Sequence, residues 1–163
     1  MMISQKMTES LNNQLNAELY ASYLYLSMAA YFESESLNGF ANWMKKQSFE
    51  EYEHAMKIFK YLNDVGSKVT LQAIDQPKTE WSGSVEVFEN ALEHEKKVTK
   101  MINGLIDLAI EERDYATNIF LQWFVEEQVE EVSTANGIVD KIKLVGDNKS
   151  GLFMLDRELG SRQ

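Results

Sequence analysis

Between Phe40 and Val65, residues taken alternately four and three apart read Phe40, Met44, Gln47, Glu51, His54, Ile58, Tyr61 and Val65. This is the stripe a helix turns toward the interior of a bundle, and a carboxylate and an imidazole stand in its middle. Glu51 and His54 are three residues apart, so on a helix they share a face one turn apart, within reach of a single metal ion. A buried, unpaired carboxylate costs several kcal/mol or takes up a proton. A chain built on such a stripe must therefore supply a partner from elsewhere.

Three further segments carry the same pattern. The first helix starts after Ser4 as N-cap and runs to about Phe32, with Met7, Leu11, Gln14, Glu18, Ala21, Tyr25, Met28 and Phe32 on its inner stripe. Glu18 is again a carboxylate in a core position. The link from Glu33 to Asn38 is short enough to make the second helix, ending near Gly66, antiparallel to the first. The third helix opens at Ser84 with Glu86 in its first turn, and its stripe reads Phe88, Leu92, Glu95, Thr99, Ile102, Ile106 and Ala109. The fourth, capped by Asp114, shows Phe124, Gln128, Glu131, Ala135, Ile138, Ile142 and Val145, and ends at Gly146. A short fifth helix covers Gly151 to Leu159. The fold class is all-α, an antiparallel four-helix bundle with one long crossover and a short C-terminal helix.

The crossover is the stretch from Ser67 to Gly83, which holds the only proline, Pro77. A second helix of about 28 residues spans about 42 Å, a height that about 13 extended residues can cover. The connection can therefore run the full bundle and set the third helix parallel to the second. Val69, Leu71 and Ala73 alternate along it and pack either on the bundle or on another subunit.

At 163 residues the chain is long enough for one substantial core, so one domain over 1–163 is expected. It has no cysteine, which excludes disulfides, thiolate metal sites and cysteine nucleophiles. Its net charge of −10 repels nucleic acid and anionic membranes and attracts cations, besides favouring solubility. The start, Met1-Met2-Ile3-Ser4-Gln5-Lys6, lacks a secretory profile, and no apolar run is long enough to span a bilayer, so a cytoplasmic location is expected.

Four helices thus place Glu18, Glu51 with His54, Glu95, and Gln128 with Glu131 at matching depth. Carboxylates gathered in a helical core cannot all stay ionised without cations. Oxygen-rich ligands with one nitrogen suit iron or manganese, whereas zinc more often takes sulfur or several imidazoles. A di-iron bundle uses one Glu from each of two helices and a Glu-x-x-His from each of the other two. Three helices match, but the fourth has Gln128-x-x-Glu131 instead. One iron therefore receives His54, and the other relies on Glu95, Glu131, a bridging Glu51 and at best a weak Gln128 amide. A loosely held second iron suits a site that handles iron as substrate and releases it after oxidation.

Glu127 and Glu130 share a face of the fourth helix, and with Glu50 they make either a third cation site or a solvated acidic face. Glu53 and Glu126 read as surface charge. Tyr25 and Trp123 read as core aromatics, and a tyrosine beside iron can hydrogen-bond a ligand carboxylate or donate an electron. His94 is expected to point away from the seam as ordinary surface.

The stretches Gln14-Leu15-Asn16-Ala17-Glu18-Leu19-Tyr20, Glu50-Glu51-Tyr52-Glu53-His54, His94-Glu95, Phe120 through Glu131, and Gly151-Leu152-Phe153 together resemble the bacterial non-haem ferritins over essentially the whole chain. The resemblance implies an Fe(II) oxidase site with Glu18, Glu51 and His54 on one iron and Glu51, Glu95 and Glu131 on the other, Gln128 close by. It makes Tyr25 the family's tyrosine beside the site, and Glu50, Glu127, Glu130 and Glu131 a third iron site. It also implies a 24-subunit hollow shell that stores iron as ferric oxyhydroxide, with Fe(II), Fe(III) and O2 or H2O2 as the species handled. The acidic three-fold channel of eukaryotic ferritins does not carry over, because Asn118 and Leu121 stand at the corresponding positions. Haem-binding bacterioferritins place a methionine directly after the bridging Glu of the second helix. This chain has Tyr52 there, so no haem is expected. The competing readings are a rubrerythrin-like peroxidase with a fixed di-iron cofactor, whose usual cysteine-ligated iron domain is missing, and a purely structural bundle, which leaves the core carboxylates unpaired.

Overall fold

A computed structural model describes residues 2–163. It has five helices, α1 (Gln5–Ser34), α2 (Asn38–Asp64), α3 (Ser84–Glu111), α4 (Tyr115–Val145) and α5 (Lys149–Gly160), and no strand among the described residues. None of the helices is long and apolar enough to cross a membrane. Helices α1 and α2 pack as one pair and α3 and α4 as another, while α5 lies against α2.

Local chemistry sets most of the helix ends. Ser4 caps α1 by accepting from the Met7 N–H, and Asp114 caps α4 by accepting from the Thr117 N–H. Asn148 caps α5 through the Gly151 N–H, so the helix begins at Lys149, two residues before the expected start at Gly151. Helix α1 runs on to Ser34, so the link to α2 is shorter than expected. Ser36 there adopts a left-handed conformation (φ 59°), as does Arg113 between α3 and α4 (φ 55°). Helix α2 has no side-chain cap of its own, since Leu37 stands at its N-cap position. Asp156 of α5 supplies one, its Oδ1 accepting from the Phe40 N–H at 2.9 Å.

That docking needs backbone contact. A Cβ on Gly39 would sit 1.7 Å from the Asp156 carbonyl oxygen, and one on Gly160 would sit 2.9 Å from the Gly39 Cα. Gly39→Ala is therefore expected to push α5 off α2 and strip the Phe40 N–H of its cap, a loss of ~2–4 kcal/mol. Chemical denaturation measures it, and an unchanged midpoint would refute this account of the docking.

The crossover, residues 65–83, climbs along α1. Asn12 donates to the Lys68 carbonyl and accepts from the Thr70 N–H, Gln72 donates to Asn13, and further up the Ser27 hydroxyl donates to the Lys78 carbonyl. Trp81 then packs on Tyr31 near the other end of α1. The chain thus ascends beside α1 from the foot of α2, which makes α3 descend parallel to α2. Val69 is partly buried on the bundle, but Leu71 is 66% exposed, Ile74 is 42% exposed and Ala73 is also exposed.

The inner stripe of α3 differs from the expected one. Leu92, Thr99 and Ile106 are half-buried, while Ala91, Val98 and Leu105 join Phe88, Glu95, Ile102 and Ala109 in the interior. The two stripes share every second member. A bundle helix buries a face wider than one row, and the flanking helices decide which row lies deeper. The core forms two apolar clusters. One is built on Phe32, Phe40, Trp43 and Phe88, the other on Leu11, Ile58, Ile102 and Phe124. Between them lies a polar belt.

Candidate metal centre

The belt gathers the expected side chains from all four long helices. Glu18, Glu51, His54, Glu95, Gln128 and Glu131 are all buried. Three sets of ligand atoms converge, each within 4.8 Å: Glu18, Glu51 and His54; Glu51, Glu95 and Glu131; and His54, Glu127 and Glu131. Glu51 belongs to the first two, which makes it the residue shared by two candidate cation positions. His54 Nδ1 lies 3.1 Å from Glu51 Oε2, and its Nε2 faces Glu127 Oε1 at 3.7 Å.

Neutral donors hold these carboxylates in place. Gln14 Nε2 donates to Glu18 Oε1 at 2.9 Å. Gln47 Nε2 donates to Glu51 Oε1 at 3.0 Å and to Glu131 Oε2 at 2.7 Å. Tyr25 donates its hydroxyl to Glu95 Oε1 at 2.5 Å, and Gln128 donates to Glu95 Oε2 at 3.1 Å. Gln128 thus serves here as a donor to a carboxylate. Gln14 and Gln47 were missed as site residues, although a signal existed, because both precede a stripe glutamate by four residues. Glu18 Oε2 is buried and has no hydrogen-bond partner.

Without cations the cluster cannot stay fully ionised. Burial pushes Glu18 well above the ordinary carboxylate range, and the neighbouring Glu51 adds to the shift. Burial also raises Glu51, with Glu95 and Glu131 contributing charge repulsion. Burial raises Glu95, opposed by the Tyr25 and Gln128 hydrogen bonds. Glu131 is raised to about 9, first by burial and then by Glu95. Tyr25 is raised as well, by burial and by Glu95. This donor set, four carboxylates and one imidazole with an open carboxylate oxygen, fits hard or borderline cations such as Fe(II).

The outer carboxylates divide. Glu127 is half-buried and joins His54 and Glu131. Glu130 is exposed and belongs to none of the three groups, and Glu50 Oε2 instead pairs with the Arg162 guanidinium at 2.9 Å. Glu53 and Glu126 are exposed, as read from the sequence. Trp123 lies at the rim, half-exposed, edge-on to His54 with ring centroids 5.2 Å apart.

His94 corrects an expectation. It is partly buried between Tyr20 and Tyr25, its Nε2 has no partner, and burial lowers its pKa to about 4. The interior face of α3 is wide enough that the residue beside Glu95 still packs against α1.

Residues 8–145 match the family described as ferritin-like domain. A bacterial non-heme ferritin of Bacteroides fragilis (strain 638R) is 49% identical over 161 residues, covering 99% of this chain and all of the relative. One of Staphylococcus aureus (strain USA300) is 39% identical, covering 99% and 97%. Among solved structures, an open pore ferritin from the hyperthermophilic archaeon Archaeoglobus fulgidus is 51% identical and superposes with a TM-score of 0.98 over 99% of both chains.

Proposed function

The chain belongs to the ferritin family, and from that premise we propose that it is an iron-storage ferroxidase acting on Fe(II) at the mid-height carboxylate belt. The observation that carries this reading is the pair of ligand groups sharing Glu51. Glu18, Glu51 and His54 take one Fe(II), and Glu51, Glu95 and Glu131 take the other. Two Fe(II) give up one electron each, and O2 accepts both with two protons to leave as H2O2. Peroxide serves as an alternative oxidant, leaving as water.

Carboxylates favour the higher charge of Fe(III), which supplies the pull on oxidation. Tyr25, Gln14, Gln47 and Gln128 orient the ligand oxygens and spare the protein any rearrangement at that moment. Only one of the two positions has an imidazole, so the oxidised iron leaves from the other as substrate. His54, Glu127 and Glu131 form the next place it can occupy. One domain over 1–163, a cytoplasmic location and a homo-oligomeric 24-subunit shell holding the ferric oxyhydroxide mineral belong to the same proposal. Haem has no part in it, because an exposed Tyr52 follows Glu51.

The test is iron loading. Fe(II) is added in excess under air and the iron retained per chain is counted after gel filtration. Many more than two irons per chain, in a large particle, is the expected result. About two per chain would mean a fixed di-iron cofactor, and none would mean a structural bundle.

A further inference from the structure

The docking of α5 delivers the C-terminal residues onto the same face of α2 that carries Glu50. Asn42 Nδ2 donates to the carbonyls of Gly160 and Arg162 at 3.2 and 3.3 Å. Arg162 then lays its guanidinium over the Trp43 ring, 4.5 Å from the centroid, and donates through Nη1 to the Trp43 carbonyl at 3.2 Å. Its Nη2 reaches Glu50 Oε2 at 2.9 Å, with the arginine side chain only 20% exposed. This is a guanidinium held on three sides, unlike a surface ion pair that swings freely.

Glu50 lies one residue before Glu51 and close enough to act by charge on Glu131, as Glu127 does. Glu127 and Glu131 converge with His54 on the outer cation position, which has three protein ligands. Glu50 belongs to none of the converging groups. It precedes His54 by four residues on α2 and so shares its helix face, and its carboxylate already holds the Arg162 cation. We propose that Arg162 competes with the metal for Glu50, so that the C-terminal tail sets the affinity of the outer position formed by His54, Glu127 and Glu131. With the tail docked, iron leaving the inner pair meets a weak three-ligand stop and moves on. With the tail released, Glu50 turns in as a fourth ligand and the outer position retains its iron. This inference rests on the ferroxidase reading of the inner pair.

The experiment is an anaerobic Fe(II) titration by equilibrium dialysis on the full-length assembled protein, with Co(II) absorption as a parallel probe. Wild type is expected to show one tight metal per chain at the position that includes His54, a looser second at Glu51, Glu95 and Glu131, and a weaker third. Arg162→Ala is expected to tighten the third about five- to tenfold, the scale of losing one close charge partner at a partly exposed site. Arg162→Lys keeps the charge and is expected to remain near wild type. Glu50→Gln in the Arg162→Ala background is expected to remove the gain. Gel filtration with a thermal melt confirms that each variant is folded and assembled. An unchanged third affinity in Arg162→Ala, or a gain that survives Glu50→Gln, would overturn the proposal. Absence of any metal at the two inner positions in wild type would instead remove the ferroxidase reading, and this inference with it.

Discussion

His54→Ala and Glu51→Ala are each expected to slow the initial rate of Fe(II) oxidation by on the order of 100-fold or more, with the assembly intact. Glu51 contributes to both inner ligand groups, so its loss opens both cation positions at once. His54 is the only imidazole in the belt, and its removal leaves one position with Glu18 and Glu51 alone. Neither residue belongs to the two apolar clusters that hold the helices together, and His54 meets them only edge-on at Phe124. Glu51→Ala also removes one of several mutually repelling carboxylates. Its metal-free form is therefore expected to melt no lower than wild type, the usual cost of keeping a destabilised site for function. Stopped-flow absorbance of Fe(III) formation, with gel filtration of the same samples, reads both outcomes. Normal initial rates in both variants would sink the assignment of the site.

The metal-free protein is expected to lose stability steadily as pH rises from about 5 to 9, and bound metal is expected to abolish that loss. The sign follows from the raised carboxylates. Glu131 holds its proton up to about pH 9 in the folded chain, against the ordinary carboxylate range when unfolded. A group raised in this way contributes its full stability below its unfolded pKa and loses it as pH climbs toward the folded one. Each pH unit across that window is worth ~1.4 kcal/mol per proton held. Glu18, Glu51 and Glu95 are shifted the same way, by burial first. A divalent cation needs the ionised forms, so it releases the protons on binding and stabilises more at higher pH. Thermal melts across pH, with and without anaerobic Fe(II), test this. Glu131→Gln supplies the control and is expected to flatten the metal-free slope. A slope that is the same in wild type and Glu131→Gln would remove Glu131 from the account.

The bundle and the convergence of its inner acids with His54 were legible because helix periodicity and residue spacing act through neighbours in sequence. Ser4 and Asp114 cap where a short polar residue precedes an apolar period, and Glu51 with His54 share a face at any bundle position. Gln14 and Gln47 lay in plain view, four residues before Glu18 and Glu51, but a glutamine in a stripe carries no sign of which oxygen it will serve. The deeper row of α3 was not readable, since Leu92 and Ala91 both fit a helix face until α1 and α4 flank it.

What the sequence determined by itself was the periodic placement of acids among apolar residues, because a core that contains carboxylates admits few solutions besides cations or protons. What only the tertiary structure decided was how distant segments meet. Asp156 caps a helix more than a hundred residues away, His94 is drawn between two tyrosines, and Arg162 pairs with Glu50. The reason is that each of these contacts depends on the angle and height at which α5 and α3 dock. Those are set by backbone approach at Gly39 and Gly160 and by the packing of whole faces, which no local spacing encodes.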